Sequence, residues 1–511
     1  MKIFTLMYVL HKIQLLSPSS LYRLMVAVFK NGMNLMTLLH FAKMKYGDHI
    51  ALVDDDEAIT YQQLFKQSKK LAYCLKEKYN LQSGQKVGFL CKNHAELVKA
   101  IFAVSRLGAN VYLLNAETSK SQFNQLVHRH RFDLVIYDSE LNDLVEQSDY
   151  TNVRVYTYHN QLPALNNLRY SDVNEEQRLK RSSTSKLVLQ TSGTTGTSKD
   201  AAHKPSLFNF LHPFMAFIQR LKILNYKTAY IATPIYHGYG IAVLLLFIPL
   251  GKKAVISRGF DAKKACRIIR EHQVEVVTVV PLMLQKMLRT NPEDLKSLSC
   301  IASGGARLPI KLIEQSCNEL GNVLYNLYGT SEAGLTFIAA PEDLIDAPTT
   351  LGKKINRLQI KVLDNNLIEL KDGKVGQLCI KNDWSIVNRN NTWIKTGDLG
   401  YRDENGYYYL CGRTDDMVVS GGENVYPIEV EQVLIKHPLI EDVAIIGVTD
   451  NQFGQRLKAF VLPVENANLT EKELLEWLRP RVARFQLPRE IKFVDNMPYT
   501  TLGKLDKKQL K

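Results

Sequence analysis

No acidic residue occurs among the first 47 positions; Asp48 is the first. The same stretch holds Lys2, Lys12, Arg23, Lys30, Lys43 and Lys45, so the chain opens on a cationic segment. Cysteine is sparse. Cys74, Cys91, Cys266, Cys300, Cys317, Cys379 and Cys411 are scattered, odd in number and never spaced as Cys-x-x-Cys. That excludes a disulfide framework and a zinc ribbon, and predicts buried or partly buried thiols in a reducing compartment. Long apolar runs are missing as well. The longest candidate, Ile241 to Leu250, is about half of the roughly 20 residues that span a bilayer. Met1 to Leu16 begins with Lys2 and an apolar stretch, but His11 and Lys12 interrupt it and no small-residue cleavage site follows, so the chain is expected to be unsecreted and cytoplasmic. There is no internal repeat, no low-complexity tract and no block of like charge of the kind that binds nucleic acid.

What is present is ordinary globular composition, 45% hydrophobic and 23% charged. A chain of 511 residues predicts about three folded units, or two if one is large. The net charge of +14 suits polyanionic partners such as nucleotides, coenzyme A or an anionic membrane face.

Leu21, Leu24, Met25, Val28 and Phe29 recur on one helical face, with Ser20 placed to cap its start and Gly32 its end. Residues 1–47 therefore read as a basic amphipathic segment. Either the helix lies on anionic lipid, as a peripheral contact, or it packs on its own domain. Strands are predicted at Lys86 to Leu90, Asn110 to Leu114, Asp133 to Tyr137, Lys186 to Gln190, Ala229 to Thr233, Val274 to Val280 and Cys300 to Ser303, alternating with helices. Asn93 and Glu96 form a capping-box pattern before the helix that runs to Leu107. The alternation predicts a parallel, doubly wound α/β domain. Beyond Lys353 the texture becomes strand-rich, with turns at Asp372-Gly373 and Asn405-Gly406, and the last hundred or so residues read as a small α+β unit.

One loop suggests chemistry. Thr191-Ser192-Gly193-Thr194-Thr195-Gly196-Thr197-Ser198-Lys199 follows a strand. Its glycines let backbone N–H groups approach an anion, its hydroxyls add donors, and its lysine adds positive charge. It is not a Walker A loop, because the lysine stands three residues after the second glycine. Alone it would be an ordinary polar surface loop. Four further motifs follow in order: Tyr328-Gly329-Thr330-Ser331-Glu332; Lys395-Thr-Gly-Asp398 with Gly412-Arg413-x-Asp415-Asp416; Ser420-Gly421-Gly422-Glu-Asn-Val-Tyr-Pro427; and Thr501-Leu-Gly-Lys504. With these the chain, from about residue 45 onward, resembles the adenylate-forming superfamily of acyl-CoA synthetases, peptide-synthetase adenylation domains and luciferases.

The resemblance implies a domain of residues 48–413 that binds ATP, and a lid of 414–511 hinged at Asp415. It implies that Thr191, Ser192, Gly193, Thr194, Thr195, Gly196 and Lys199 surround the β- and γ-phosphates. Glu332 would hold Mg²⁺. Tyr328 would stack on adenine, with the backbone of Gly304, Gly305 and Ala306 nearby; Gly329 and Ser331 would also contact the nucleotide, Ser331 standing for the usual threonine. Asp398 and Arg413 would bind ribose, and Lys504 would bridge the attacking carboxylate and the α-phosphate. His237, in Tyr236-His237-Gly238-Tyr239-Gly240, would border the acyl channel. Gly421 and Gly422 would line the path of the CoA thiol after the lid rotates. One departure stands out: Ser198-Lys199-Asp200 replaces the family's Pro-Lys-Gly and sets a carboxylate beside the lysine.

Expected function is a two-step ligase. A carboxylate and ATP give an acyl-adenylate and pyrophosphate, then coenzyme A displaces AMP. The absence of a condensation or carrier segment favours a free-standing acyl-CoA synthetase, and the basic N-terminus favours a medium- or long-chain fatty acid. An aromatic acid, a carrier-protein acceptor, or a non-catalytic nucleotide- or lipid-binding paralogue remain as alternatives.

Overall fold

The structure is a computed structural model and describes residues 15–168, 179–191, 199–203, 211–330, 332–385, 392–500 and 505–510. The chain divides into two compact units. The first comprises Met1–Val279, Met283–Ser303 and Gln315–Tyr325, and the second Val280–Leu282, Gly304–Glu314 and Asn326–Lys511.

The first unit holds the predicted alternation. Strands Val153–Tyr156, Leu134–Tyr137, Lys86–Leu90, Asn110–Leu113 and Leu187–Thr191 lie side by side in parallel, and Lys199–His203 closes the edge antiparallel. A second parallel run orders Cys300–Gly304, Val276–Val279, Thr228–Ile231, Lys253–Ile256 and Ile50–Val53, edged by antiparallel Ala58–Thr60. Such strands are covered on both faces and read as continuous apolar runs; Leu134–Tyr137 and Val276–Val279 are buried at every position. Helix Ala95–Arg106 is buried along its whole length, and its Lys99 is neutralised by Glu96 at 2.8 Å and Glu57 at 2.5 Å.

Two local readings need correction. Asn93 does not cap that helix. His94 does, its ring accepting from the Leu97 N–H, while Asn93 accepts from Ile235 N and donates to Thr233 O. The N-terminal helix spans Pro18–Asn31, so Ser17 is its cap and Ser20 lies one turn inside, buried; Gly32 ends it as expected. The next helix, Leu35–Tyr46, buries Leu35, Met36, Leu39, His40, Phe41 and Ala42. The inner side of helix Leu35–Tyr46 is therefore core of the first unit, and the exposed face of helix Pro18–Asn31 remains a candidate for an outside contact.

The second unit carries the strand-rich texture. Leu324–Thr330, which enters it from the first unit, pairs antiparallel with Gly334–Ala339; then follow Thr350–Lys354, Tyr408–Arg413, Ile394–Arg402, Gly376–Lys381 and Gln359–Leu363. Residues 414–511 add their own sheet, ordered Glu423–Val425, Val418–Ser420, Gly454–Pro463, Ile440–Asp450, with Glu490–Phe493 parallel to Gly454–Pro463. Helices Pro427–Leu434 and Glu471–Leu478 cover this sheet through a shared core of Val430, Leu434, Leu474, Leu478, Ile445, Leu457 and Val461.

Candidate active site

In the first unit the phosphate-type segment connects the last parallel strand to the antiparallel edge strand. Thr191 ends Leu187–Thr191, Lys199 begins Lys199–His203, and the two are register partners. The loop thus leaves the carboxyl end of a parallel strand, where open α/β sheets bind ligands. Ser192, Gly193, Thr194, Thr195 and Gly196 lie outside the described residues.

His237 sits at the N-terminal boundary of helix Gly238–Phe247, its ring 4.6 Å from that of Tyr236. This turn is fixed on three sides. Tyr239 donates to Ala302 O at 2.6 Å, Asn93 bridges Thr233 and Ile235, and Gly238 packs toward Leu189 of the strand that feeds the loop. Burial holds the Tyr236 and Tyr239 phenols protonated well above their usual range.

The second unit brings together residues that the sequence scatters over 87 positions. Asp398, 6% exposed, accepts from the Tyr328 hydroxyl on one carboxylate oxygen and from Arg413 Nη1 at 3.0 Å on the other. Arg413 also faces Asp415 at 3.8 Å. Gly397 (φ +78°) lets the guanidinium approach, because a Cβ there would stand 2.8 Å from Arg413 Nη2. Thr396 Oγ1 accepts from Asp398 N and donates to Leu378 O, tying the backbone at Asp398 to the neighbouring strand. Burial and the adjoining carboxylate push the Tyr328 phenol far up, so it remains a donor.

Gly329 and Glu332 lie on the hairpin formed with Gly334–Ala339, and Ser331 falls outside the described residues. Two buttresses here had no local sequence signal: Asn382 donates to Ala333 O and the Trp384 indole to Leu335 O. Gly304 ends strand Cys300–Gly304, and Gly305, at φ +81°, and Ala306 follow it.

Gly421 and Gly422 form the two-residue turn between Val418–Ser420 and Glu423–Val425. Both have positive φ, +59° and +89°, as a type I′ turn requires. Asp415 is exposed in the 3₁₀ turn Thr414–Asp416. Lys504 lies outside the described residues; on either side of it in sequence, Tyr499 and Leu505 form an antiparallel bridge.

Among the described residues one group of possible metal ligands occurs, Cys91, His94 and Asp138. These atoms are engaged with protein: Cys91 donates to Ile136 O, His94 joins Asp138 to Leu97 N, and Asp138 also accepts from Thr157 and Lys92 N. The group is a buried hydrogen-bond network. None of the seven cysteines is disulfide-bonded, and all but Cys317 are buried.

Residues 39–386 match the AMP-binding enzyme family, and residues 429–504 the AMP-binding enzyme C-terminal domain. A 2-succinylbenzoate–CoA ligase of Bacillus licheniformis is 28% identical over 475 residues, covering 91% of this chain and 96% of that protein. The o-succinylbenzoate CoA synthetase of Bacillus subtilis with its acyl-adenylate intermediate has a TM-score of 0.79 at 26% identity, covering 93% of this chain and 97% of that one. The same enzyme with ATP and magnesium ion gives 0.79 at 25% identity, covering 93% and 98%. ATP-bound MatB of Rhodopseudomonas palustris gives 0.83 at 23% identity over 94% and 98%, a likeness of fold.

Proposed function

The chain belongs to the AMP-binding enzyme family, and from that premise we propose that it is an aryl-acid–CoA ligase acting on a 2-succinylbenzoate-type keto-diacid. The reaction class is an AMP-forming acid–thiol ligase that uses ATP, Mg²⁺ and coenzyme A. The fatty acid expected from the basic N-terminus gives way to the aryl acid. The observation that carries this is end-to-end similarity to ligases named for 2-succinylbenzoate.

The first step joins two anions, so catalysis is charge neutralisation and alignment. In this reading Asp398 accepts from the ribose hydroxyls while Arg413 and Tyr328 hold its carboxylate. The hydroxyls and Lys199 of the 191–199 loop cradle the β- and γ-phosphates. Lys504 stabilises charge at the α-phosphate as the carboxylate attacks and pyrophosphate leaves. In the second step the thiol attacks the acyl carbon, and AMP departs with the mixed-anhydride electron pair. Residues 414–511 act as the lid, turning at Asp415, and His237 borders the acyl group.

A hard dication takes one or two carboxylates with phosphate oxygens. Glu332, partly buried beside the hairpin turn, fits that donor set and would hold Mg²⁺, which neutralises phosphate charge when bound.

Thioester formation with 2-succinylbenzoate, benzoate and decanoate tests the substrate. We expect kcat/KM for 2-succinylbenzoate to exceed that for decanoate at least about a hundredfold, because a site built around polar groups rejects a substrate that leaves them unpaired. Preference for decanoate would restore the fatty-acid reading.

A further inference from the structure

We propose that the outer face of helix Pro18–Asn31 is a docking surface for an anionic lipid bilayer. The inner side of this helix is accounted for. Ala27 is fully buried, Leu24 and Met44 pack on the cluster of Leu15, Ala27 and Phe41, Ser20 is buried, and the Asn31 amide donates to His40 Nδ1 and Ala27 O. At about 100° per residue, Leu21, Met25, Phe29 and Tyr22 fall on an arc roughly opposite. They are 40%, 63%, 73% and 65% exposed, and Met33, just past the helix, is 52% exposed. A ridge of four large apolar side chains on one helix, with Met33 just beyond it, differs from scattered surface leucines, and such patches mark interaction sites.

Charge identifies the occupant. Arg23 and Lys30 lie on one border of the ridge, and no acidic side chain precedes Asp48. Beside Tyr22 an open groove of about 690 Å³ is lined by Arg23, Lys43 and Lys45 as well as Asp48. An apolar ridge with cationic flanks matches the interface of an anionic membrane: side chains enter the acyl boundary while lysine and arginine meet the headgroups. A second copy of the chain would set the same cationic borders against each other. The surface is independent of the ligase reading, since none of these residues belongs to the candidate active site.

Sedimentation with vesicles tests it. The full chain is mixed with vesicles of phosphatidylcholine alone or with 30 mol% phosphatidylglycerol. Binding to the anionic vesicles is expected to be roughly tenfold or more stronger, since each basic residue near such a surface adds favourable energy, and to fall in 0.5 M salt. Met25→Gln with Phe29→Gln changes only exposed positions and should abolish binding. Arg23→Gln, Lys43→Gln and Lys45→Gln together should reduce it to the level of neutral vesicles. Circular dichroism and light scattering on each variant report fold and mass. Equal binding to both vesicle types, or no binding by a folded monomer, overturns the proposal. A concentration-dependent doubling of mass that the ridge variant removes overturns it in favour of a second copy.

Discussion

Asp398 accepts from two donors of different kinds, a phenol that stays protonated and a guanidinium. Asp398→Asn keeps an acceptor for Tyr328 but removes the charge facing Arg413. Asp398→Ala removes both and leaves a buried hydroxyl unsatisfied, a cost of about 1–3 kcal/mol. ATP KM should rise roughly tenfold or more in both variants, whereas melting temperature should fall clearly only in the alanine variant. An unchanged ATP KM in a folded Asp398→Ala protein would remove this carboxylate from the nucleotide site. The ribose-motif residues were legible because Lys395 to Asp398 and Gly412 to Asp416 are contiguous strings. Asn382, Trp384 and Asn93 were not, because each acts on a backbone group far away in sequence: Asn93 meets Thr233 and Ile235, and Asn382 meets Ala333.

At the scale of elements, capping patterns misled where a long-range partner had prior claim. Asn93 and Glu96 satisfy the box spacing, yet Asn93 is spent on another loop. At the first helix Pro18 marks the true N1 position, so Ser17 caps and Ser20 is interior. That helix is tied to Leu35–Tyr46 by His40, whose Nδ1 accepts from Asn31 and whose pKa burial, aided by Lys30, Lys43, Lys69 and Arg106, lowers from 6.5 to about 4. A base whose folded pKa is depressed favours the fold while neutral. This contribution is present above about pH 6.5 and declines as pH falls toward 4, by on the order of 3 kcal/mol at the limit. Denaturant unfolding at pH 7 and pH 4.5 should therefore show a smaller loss for His40→Gln than for the natural chain; equal losses would contradict it. The described residues that flank Lys504 in sequence are held on both sides. Tyr499 donates to Asp442 at 2.5 Å, Leu505 and Leu510 pack on Ile446, Phe460 and Met497, and Lys507 reaches Asp416 and Glu431 at 3.4 and 3.5 Å. Tyr499→Phe with Lys507→Met removes these flanking contacts and should slow adenylation roughly tenfold or more if they position Lys504. Thioester formation from pre-formed acyl-adenylate should stay nearly unchanged. Lys504→Ala should show the same split at about 10²–10³. A parallel fall in both half-reactions would deny the loop a role specific to adenylation.

Across the whole molecule, strand positions and fold class followed from apolar runs spaced by helices, whereas the order of strands within each sheet did not. Each predicted strand from Lys86 to Ser303 has its counterpart within two residues at either end, because buried parallel strands announce themselves as short continuous apolar stretches. Periodicity does not reveal which residues cluster when Tyr328 must find Asp398 seventy positions away. Nor does it tell which side of an amphipathic helix faces inward: Leu21, Met25 and Phe29 fit a core stripe by spacing, yet Ser20, Ala27 and Asn31 are the buried face. The central claim is that these parts perform acid-dependent adenylation despite Asp200 beside Lys199. Its most direct test is exchange of labelled pyrophosphate into ATP without coenzyme A, with and without each acid. The account predicts exchange that depends on acid, is fastest with 2-succinylbenzoate, and is lost in Lys504→Ala. A folded chain that binds ATP yet exchanges no pyrophosphate with any acid would contradict it and mark a nucleotide-binding protein without ligase activity.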